Sequence, residues 1–245
     1  MWVILSGVDS DLQPIRGILN VNKPLGLTSM MVCRVVKARL KAGGAPKKVK
    51  VGHGGTLDPL ATGVLVVLVG KATKQQDRIM GTDKAYRAVI DLAHTSESCD
   101  MEFEQIPAEI ERVPTLEEVA EACTRFVGDI QQVPPVYSAI WVDGRRAYAL
   151  ARQGHEFELK SREIRVESIE IVKYEWPMLE VDIACGKGTY IRSLARDIGV
   201  ELQVGGMLAS LVRTRVGDFA IEDAIDLDDV ESPLDPWGLE TDGLE

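Results

Sequence analysis

Asp58 has the sequence context most suggestive of chemistry. It lies in the glycine-rich segment GHGGTLDP (Gly52 to Pro59) and is the only acidic residue between Arg16 and Lys74. Surrounding positive charge keeps a lone carboxylate ionised, and an ionised carboxylate among apolar neighbours can act as a nucleophile or a base. Aspartate before proline is also typical of a turn cap, and spacing alone leaves both interpretations open.

Other polar residues near this segment are ambiguous in the same way. His53 could take part in catalysis, but a loop histidine more often only satisfies local hydrogen bonds. With three histidines in the chain, the spacing supports neither a triad nor a metal cluster. Four basic residues could hold phosphate groups, although each alone is typical of a protein surface: Lys71, Lys74, Lys84 and Arg87.

The charge of the chain is divided unevenly. With 28 Lys and Arg against 38 Asp and Glu, the net charge of -10 argues at first against a nucleic-acid partner. Arg16 to Arg87, however, carries 14 basic and three acidic residues, whereas Gly217 to Glu245 carries 11 acidic residues and no basic one. Charge runs are often only solvated surface, but an excess this large around Asp58 favours an anionic ligand.

Length and composition indicate a globular protein. The 245 residues are 45% hydrophobic and 27% charged, which predicts one or two domains and excludes disordered and collagen-like chains. The four cysteines lie far apart without CxxC spacing, so neither a zinc site nor a disulfide framework is indicated, and reduced, mostly buried thiols are predicted. The longest apolar run, Val64 to Val69, is too short to cross a membrane, and Met1 to Ile15 does not resemble a signal peptide. A cytoplasmic location is expected.

Three elements are predicted to frame Asp58. Ile18 to Asn22 is typical of a short strand, and a helix with Thr28 or Ser29 as its N-cap is expected to follow. Val64 to Val69 is typical of a strand buried on both faces. Between them, the glycines and proline of residues 52 to 59 predict irregular structure.

Further along, the patterns change from element to element. Alternation over residues 86 to 92 and 179 to 183 predicts two half-buried strands, and Thr115 to Glu118 is a capping box that predicts a helix. Thr189 to Ile198 is also predicted to be helical. Strands and helices are mixed without regular alternation, which predicts an α+β fold with a mixed sheet.

Several motifs make the chain resemble the TruB-type tRNA pseudouridine synthases. The longest is GHGGTLDPLATGVL (Gly52 to Leu65). The others are NKPLGLTS (22–29), GKATK (70–74), KAYR (84–87), GDIQQVPPVYSA (128–139), RQG (152–154), KGTYIR (187–192) and LVRT (211–214). Together they cover roughly Gly17 to Phe219, and a match of this length is specific.

The resemblance implies an isomerase that detaches uracil from its ribose, rotates it and rejoins it through C5. The implied substrate is the uridine at position 55 in the T loop of tRNA. No cofactor, metal, membrane association or obligate protein partner is implied. The implied fold is the pseudouridine synthase catalytic fold, a mixed, largely antiparallel sheet flanked by helices. We expect an N-terminal extension (1–16), a catalytic domain (17–219) and an acidic C-terminal tail (220–245).

The resemblance also implies roles for individual residues. Asp58 matches the catalytic aspartate, Arg192 the arginine that pairs with it, and Tyr86 an aromatic residue that stacks on the flipped base and is placed for proton transfer. The implied substrate-binding residues are His53, which enters the RNA loop; Tyr190 and Leu211, which complete an apolar pocket; and Lys23, Lys74 and Arg213, which support the loop or contact RNA. Without the resemblance, Tyr86, Tyr190 and Leu211 are typical core residues.

The sequence departs from the family pattern in three places. Gly54 replaces a more usual hydroxyl residue, the basic segment Lys41 to Lys50 is somewhat longer, and we expect no additional RNA-binding domain after Phe219. Two related functions remain open: a guide-RNA-dependent synthase of the same superfamily, and a non-catalytic tRNA folding helper. An unrelated hydrolase with an aspartate nucleophile would need a metal or phosphate motif, and we find none.

Overall fold

The structure, a computed structural model, describes residues 15–142, 144–232, 234–236 and 238–239. The expected N-terminal extension (1–16) lies outside these residues except for its last two positions. The end of the expected acidic tail lies outside them as well.

Helices and strands follow one another irregularly. The strands are β1 (Arg16–Lys23), β2 (Val51–His53), β3 (Ala61–Gly70), β4 (Lys84–Asp91), β5 (His94–Thr95), β6 (Ile106–Pro107), β7 (Gly128–Gln132), β8 (Trp141–Val142), β9 (Arg145–Arg146), β10 (Arg162–Glu175), β11 (Met178–Cys185), β12 (Met207–Val216), β13 (Phe219–Ala220) and β14 (Ile225–Asp226). The helices are α1 (Ser29–Ala42), α2 (Gln76–Gly81), α3 (Leu116–Arg125), α4 (Ala147–Ala151) and α5 (Ile191–Glu201). Two short 3-10 helices cover Lys71–Gln75 and Ile221–Asp223.

One large mixed sheet organises the fold. Its strand order is β14-β1-β3-β12-β4-β11-β10-β7, with β2 paired to β3 and β13 paired to β12. The pairs β1–β14 and β3–β12 are parallel, and the other pairs in this sheet are antiparallel. The predicted α+β fold with a mixed, largely antiparallel sheet and flanking helices is confirmed.

β3 is buried on both faces, as its apolar run predicts. Leu65, Val67 and Val69 pack in one cluster with α1, and the alternate residues Val64 and Val66 pack in a second cluster with Ile79 of α2. Strand side chains alternate between faces, so a strand between two cores must be apolar throughout. The other half of the sheet packs on α3 and α5, and the capping box of α3 forms as predicted.

The glycine-rich segment is more regular than its composition suggests. Residues 51 to 53 form β2, which pairs antiparallel with Val67 to Val69 of β3. The prediction of irregular structure was therefore wrong for Gly52 and His53 and holds for residues 54 to 59. A neighbouring strand supplies hydrogen-bond partners that override the weak strand preference of glycine.

The described part of the acidic tail packs on the body of the protein. β14 pairs with β1, and Leu227, Val230 and Leu234 are buried against α1. Arg39 of α1 donates hydrogen bonds of 2.5 Å to the carbonyl oxygens of Leu227 and Val230. The proposed domain boundary at residue 219 stays a prediction.

Two smaller points concern the described residues as a whole. All four cysteines are free and buried, as predicted. No helix in the described ranges combines the length and the apolar character needed to cross a membrane.

Candidate active site

Asp58 lies in a loop that is held at its base by Ser29. The Ser29 hydroxyl accepts a hydrogen bond from the Leu57 N–H (2.8 Å) and donates one to the Leu57 carbonyl oxygen (2.9 Å). Thr28 provides the N-cap of α1 by accepting from the Met31 N–H. Ser29 is therefore free to fix the residue that precedes Asp58.

Lys23 supports the same loop from within the protein. Its side chain is fully buried, and its ammonium group donates to the carbonyl oxygens of Leu27 (2.8 Å), Pro24 (2.9 Å) and Pro59 (3.4 Å). Burial lowers the pKa of Lys23 to about 8, although the negative charge of Asp58 opposes the shift. The structure therefore places Lys23 as an internal support of the loop.

Arg213 of β12 supports the other side of the loop. It is 2% exposed, and its guanidinium donates to the carbonyl oxygens of Val64 (2.8 Å), Thr56 (3.1 Å) and Gly55 (3.2 Å). A planar guanidinium can satisfy several backbone acceptors in this way. Arg213 thus ties the turn before Asp58 to β3.

Arg192 forms an ion pair with Asp58. Its Nη2 atom lies 2.9 Å from Oδ2 of Asp58. The same guanidinium donates to the carbonyl oxygens of Ser98 (3.1 Å) and Tyr137 (3.0 Å), which come from two different loops. Arg192 lies at the start of α5 and is buried, so these contacts fix its direction. Arg192 is therefore not an ordinary arginine on a helix surface.

Asp100 is a second carboxylate at Arg192, and the sequence analysis missed it. Its Oδ2 lies 3.6 Å from Nη1 of Arg192. Its Oδ1 accepts from the Ser98 hydroxyl (2.5 Å) and from the Glu102 N–H (3.0 Å), which orient the group. Asp100 lies 42 positions from Asp58 in a loop rich in acids, so no spacing in the sequence distinguishes it.

A small open cavity lies over the ion pair. Its lining includes Asp58, Leu60, Asp100, Met101, Arg192 and Leu211. Leu211 comes from β12, where it pairs with Ala61 of β3. The structure therefore brings Asp58, Arg192 and Leu211 together around one cavity with both charged and apolar walls.

Tyr86 lies on β4 opposite Arg213 of β12. Burial raises the pKa of its phenol, and the positive charge of Arg213 partly opposes this shift. The hydroxyl is consequently protonated near neutral pH. Tyr86 is half-buried and packs against the cluster formed by β4, β10, β11 and α5.

The backbone of Tyr190, two residues before Arg192, is held by the Gln132 side chain. Its N–H donates to Gln132 Oε1 (2.9 Å), and its carbonyl oxygen accepts from Gln132 Nε2 (3.1 Å). The Arg162 guanidinium lies over the ring, 4.8 Å from the centroid. Gln132 lies within the motif GDIQQVPPVYSA (128–139), but the sequence predicts no role for it.

His53 and Lys74 lie towards the end of β3 that is farther from Asp58. His53 ends β2, opposite Val67, and its Nδ1 is buried without a hydrogen-bond partner. Burial and the charge of Arg213 lower the pKa of His53, which favours a neutral imidazole. Lys74 is exposed on the 3-10 helix that follows β3.

Two of the four candidate phosphate-binding residues are engaged within the protein. The Lys84 ammonium is buried and donates to the carbonyl oxygens of Met80 (2.7 Å) and Thr82. Arg87 makes a bidentate pair with Asp182 at 2.7 and 2.8 Å. Lys84 is thus enclosed by the protein and Arg87 is paired at the surface, whereas Lys71 and Lys74 are exposed. Phosphate binding by these residues stays a prediction.

The described residues contain no group of three or more His, Cys, Asp or Glu side chains placed to hold a metal ion. The charged groups that line the cavity are the Asp58 and Asp100 carboxylates and the Arg192 guanidinium, with apolar side chains such as Leu60 and Leu211 beside them. A fixed, partly open carboxylate of this kind can stabilise positive charge on a bound molecule or attack it.

Two family models match the chain. Residues 43–191 match the model described as TruB family pseudouridylate synthase (N terminal domain). Residues 192–240 match the tRNA pseudouridylate synthase B C-terminal domain. The second range contributes α5 and β12 to the main body, so the two matched ranges share one sheet.

Several curated relatives are similar over most of their length. The tRNA pseudouridine synthase B of Phocaeicola vulgatus is 43% identical over 223 residues, which cover 91% of this chain and 95% of the relative. The protein of the same name from Bacteroides fragilis is 46% identical over 209 residues, covering 85% and 90%. That from Clostridium kluyveri is 45% identical, covering 88% of this chain and 72% of the relative.

Solved structures with a similar fold come from larger proteins. A crystal structure of a Cbf5-Nop10-Gar1 complex matches with a TM-score of 0.67 and 32% identity, over 87% of this chain and 53% of that chain. An H/ACA RNP bound to a substrate RNA containing 2'-deoxyuridine matches with a TM-score of 0.63 and 30% identity, over 87% and 52%. This chain thus spans about half the length of the chains matched in these two complexes.

Proposed function

The chain belongs to the TruB family of pseudouridylate synthases, and from this premise we propose that it converts the uridine at position 55 in the T loop of tRNA to pseudouridine. The reaction breaks the bond between N1 of uracil and C1' of ribose and forms a bond between C5 and C1'. C5 loses a proton and N1 gains one, so the product is an isomer of the substrate. No cofactor is required by this balance.

The observation that carries the proposal is the pair formed by Asp58 and Arg192. Cleavage of a glycosidic bond builds positive charge at the anomeric carbon, which an adjacent carboxylate can capture or stabilise. The Asp58 side chain is 40% exposed at the cavity, while Arg192 is 7% exposed and fixed from behind. The carboxylate is therefore oriented and still open to a substrate.

The surroundings of the pair suit a uracil base taken out of its stack. Enzymes that act on a base extrude it into a pocket and contact it with apolar or aromatic side chains. Leu211 lines the cavity, and Tyr190 lies two residues before Arg192. Tyr86 of β4 lies opposite the loop support Arg213 of β12. Tyr86 offers its ring for stacking, and because its phenol is protonated, any proton that it accepts requires release of its own to a neighbouring group.

The RNA partner of this reaction is the T-stem loop of tRNA, and a cytoplasmic location accompanies that role. Sequence-specific RNA recognition targets single-stranded loops whose bases can be splayed out. His53, which has a neutral imidazole and lies on β2 beside β3, would occupy the space left by the extruded nucleotide. Lys74 would contact the backbone of the tRNA. Lys23 and Arg213 act indirectly, by holding the loop of Asp58.

A guide-RNA-dependent reaction is the second candidate. Its support is the similarity to the chains in the Cbf5-Nop10-Gar1 complex and the H/ACA RNP. This chain covers a larger share of the three curated relatives described above, 72 to 95% of their length. Each of these relatives is named as a tRNA pseudouridine synthase. We therefore favour action on tRNA without a guide.

The deciding experiment is incubation of the purified protein with unmodified tRNA, followed by mapping of pseudouridine at each position. We expect modification at position 55 in the absence of any guide RNA or protein partner, and also in an isolated T-stem loop. Absence of product until a guide RNA is added would favour the second candidate. Product at other positions only would overturn the T-loop assignment.

Asp58→Asn tests the role of the carboxylate in the same assay. We expect no detectable pseudouridine and tRNA binding close to that of the wild type. Asp77→Asn is a matched control, because Asp77 lies in the same basic part of the sequence but on α2. Full activity of Asp58→Asn would contradict the catalytic assignment. Loss of product together with binding would instead indicate a folding or docking defect.

A further inference from the structure

Five exposed lysines gather at the end of β3 that lies away from Asp58. We call Lys47, Lys48, Lys50, Lys71 and Lys74 the lysine surface. Asp58 is close to the first residue of β3, since its carbonyl oxygen accepts from the Ala61 N–H (3.1 Å). The strand is ten residues long, so its two ends are roughly 30 Å apart.

The lysine surface has two parts, residues 47–50 before β2 and residues 71–74 after β3, and backbone pairing brings them together. The Gly70 N–H donates to the carbonyl oxygen of Lys50 (2.8 Å), so Lys50 and Lys71 flank the same hydrogen bond. Lys71 and Lys74 lie three residues apart in the 3-10 helix that follows β3. Side chains with this spacing eclipse one another in a 3-10 helix, so both lysine side chains extend from the same side of this helix.

The segment that carries Lys47 and Lys48 is anchored. Ala45 and Val49 are buried in the cluster formed with α1 and β3. The Val49 N–H donates to the carbonyl oxygen of Pro46 (2.9 Å), which closes a turn between them. Lys47 and Lys48 therefore project from a defined turn whose two ends are fixed in the core.

The five lysines differ from several exposed arginines in their ion pairing. Within the described ranges, none of the five forms an ion pair with a carboxylate, whereas exposed arginines elsewhere do, including Arg87, Arg125 and Arg165. Exposed cations of one sign concentrate a positive potential that attracts anions. A polyanion that releases bound counterions on docking gains the most from such a surface.

We propose that the lysine surface binds phosphate groups of tRNA that lie outside the T-stem loop. The inference rests on the proposed function, because it assumes that the reacting uridine is bound near Asp58. A separation of roughly 30 Å approaches one turn of a nucleic-acid duplex, about 34 Å in B-form DNA. Double-stranded RNA is contacted largely through its backbone, which lysines can do without reading sequence. The surface therefore adds affinity for a whole tRNA and no specificity for the modified position.

The test compares full-length tRNA with an isolated T-stem loop at several salt concentrations. The Lys48→Gln/Lys71→Gln variant removes two charges from the lysine surface. The control variant, Arg165→Gln/Lys173→Gln, removes two charges from β10, where Arg165 pairs with Asp129 and Lys173 with Glu175. Thermal unfolding of both variants checks that the fold is unchanged.

For full-length tRNA we expect Lys48→Gln/Lys71→Gln to weaken binding about three- to tenfold near 0.1 M salt. The slope of log K against log salt should become shallower by about 1 to 2, as expected for two lost phosphate contacts. Binding of the T-stem loop, and the rate at saturating tRNA, should match the wild type. The control variant should bind both RNAs like the wild type.

Three results would overturn the proposal: an unchanged salt slope for tRNA, an equal loss with the T-stem loop, or an equal loss in the control variant. Failure of the proposed function is distinguishable from these results, because it is measured as absent pseudouridine in wild-type reactions. The binding comparison requires no turnover.

Discussion

The Nη2 atom of Arg192 lies 2.9 Å from Oδ2 of Asp58, although the two side chains differ widely in exposure, at 7% and 40%. The guanidinium is fixed by carbonyl oxygens from two loops, and the carboxylate reaches it from a third. The position of Asp58 therefore depends on contacts made far from it in sequence. A charge-assisted pair of this kind is strong only where its geometry is held.

Arg192→Lys should lower the rate of pseudouridine formation about 100-fold, which corresponds to about 2.7 kcal/mol. A lysine cannot donate simultaneously to Asp58 and to the carbonyl oxygens of Ser98 and Tyr137 with the planar geometry of a guanidinium. Single-turnover rates with saturating tRNA measure the effect. Arg196→Lys, one turn later on α5, is the control and should stay within a few-fold of the wild type. A rate for Arg192→Lys within tenfold of wild type would contradict this account.

Ser29→Ala should destabilise the protein by about 1–3 kcal/mol, because it leaves the buried N–H and carbonyl of Leu57 without their partner. It should also slow the reaction, since Leu57 precedes Asp58. Thr28→Ala is the matched control: it removes the helix cap, at about 1 kcal/mol, and leaves the Asp58 loop in place. Urea unfolding and single-turnover rates separate the two effects. Equal rates for the two variants would show that Ser29 has no role beyond stability.

Gly54→Ala should destabilise the protein by about 1–3 kcal/mol through overpacking. A Cβ atom at this position would lie 2.3 Å from Cγ2 of Ile79, so the glycine accommodates the Ile79 side chain. Gly52→Ala is the control, because its Cβ would meet only Thr73 Cγ2, at 4.0 Å. In an Ile79→Ala background the penalty of Gly54→Ala should shrink. Additive effects in this double-mutant cycle, measured by urea unfolding, would refute the pairing.

The buried Lys23 predicts a particular pH dependence of stability. Its pKa falls from an ordinary 10.5 to about 8 in the folded protein, so between these values the unfolded chain binds more protons than the folded one. The Lys23 contribution to the free energy of unfolding therefore rises with pH across this window. Urea unfolding of wild type and Lys23→Met at pH 7.5 and 10 measures it. The difference, wild type minus variant, should increase, while contributions from the buried cysteines cancel. A constant or falling difference would count against the shifted lysine.

Much of the framework follows from local sequence. The apolar run of β3 is sufficient by itself to predict a strand with two buried faces. The capping box at Thr115 likewise marks the start of α3. Asp58 was singled out by its charge context, but its role depended on the family resemblance, because local spacing fits a turn cap equally well.

The remaining features depend on residues that are distant in the chain. Arg87 and Lys84 are typical phosphate-binding residues until β11 brings Asp182 to Arg87 and the fold buries Lys84. Asp100 is one acid among many until a loop places it at Arg192. Thr28 and Ser29 are equally good caps by residue type, and only the position of Leu57 assigns the second to the active-site loop.

The central place of β12 has a consequence for folding. This strand, residues 207–216, lies between β3 and β4. Among the residues that the structure describes, it is the only direct link in the sheet between the half that carries Asp58 and the half that carries Tyr86. Neither half can complete its hydrogen bonding until some 200 residues have been synthesised. Before then, two adjacent edges are open to pairing with other chains, a state that favours aggregation. We expect ribosome-bound chains that stop before Met207 to need protection by chaperones, and the active site to form only in the last stage of folding.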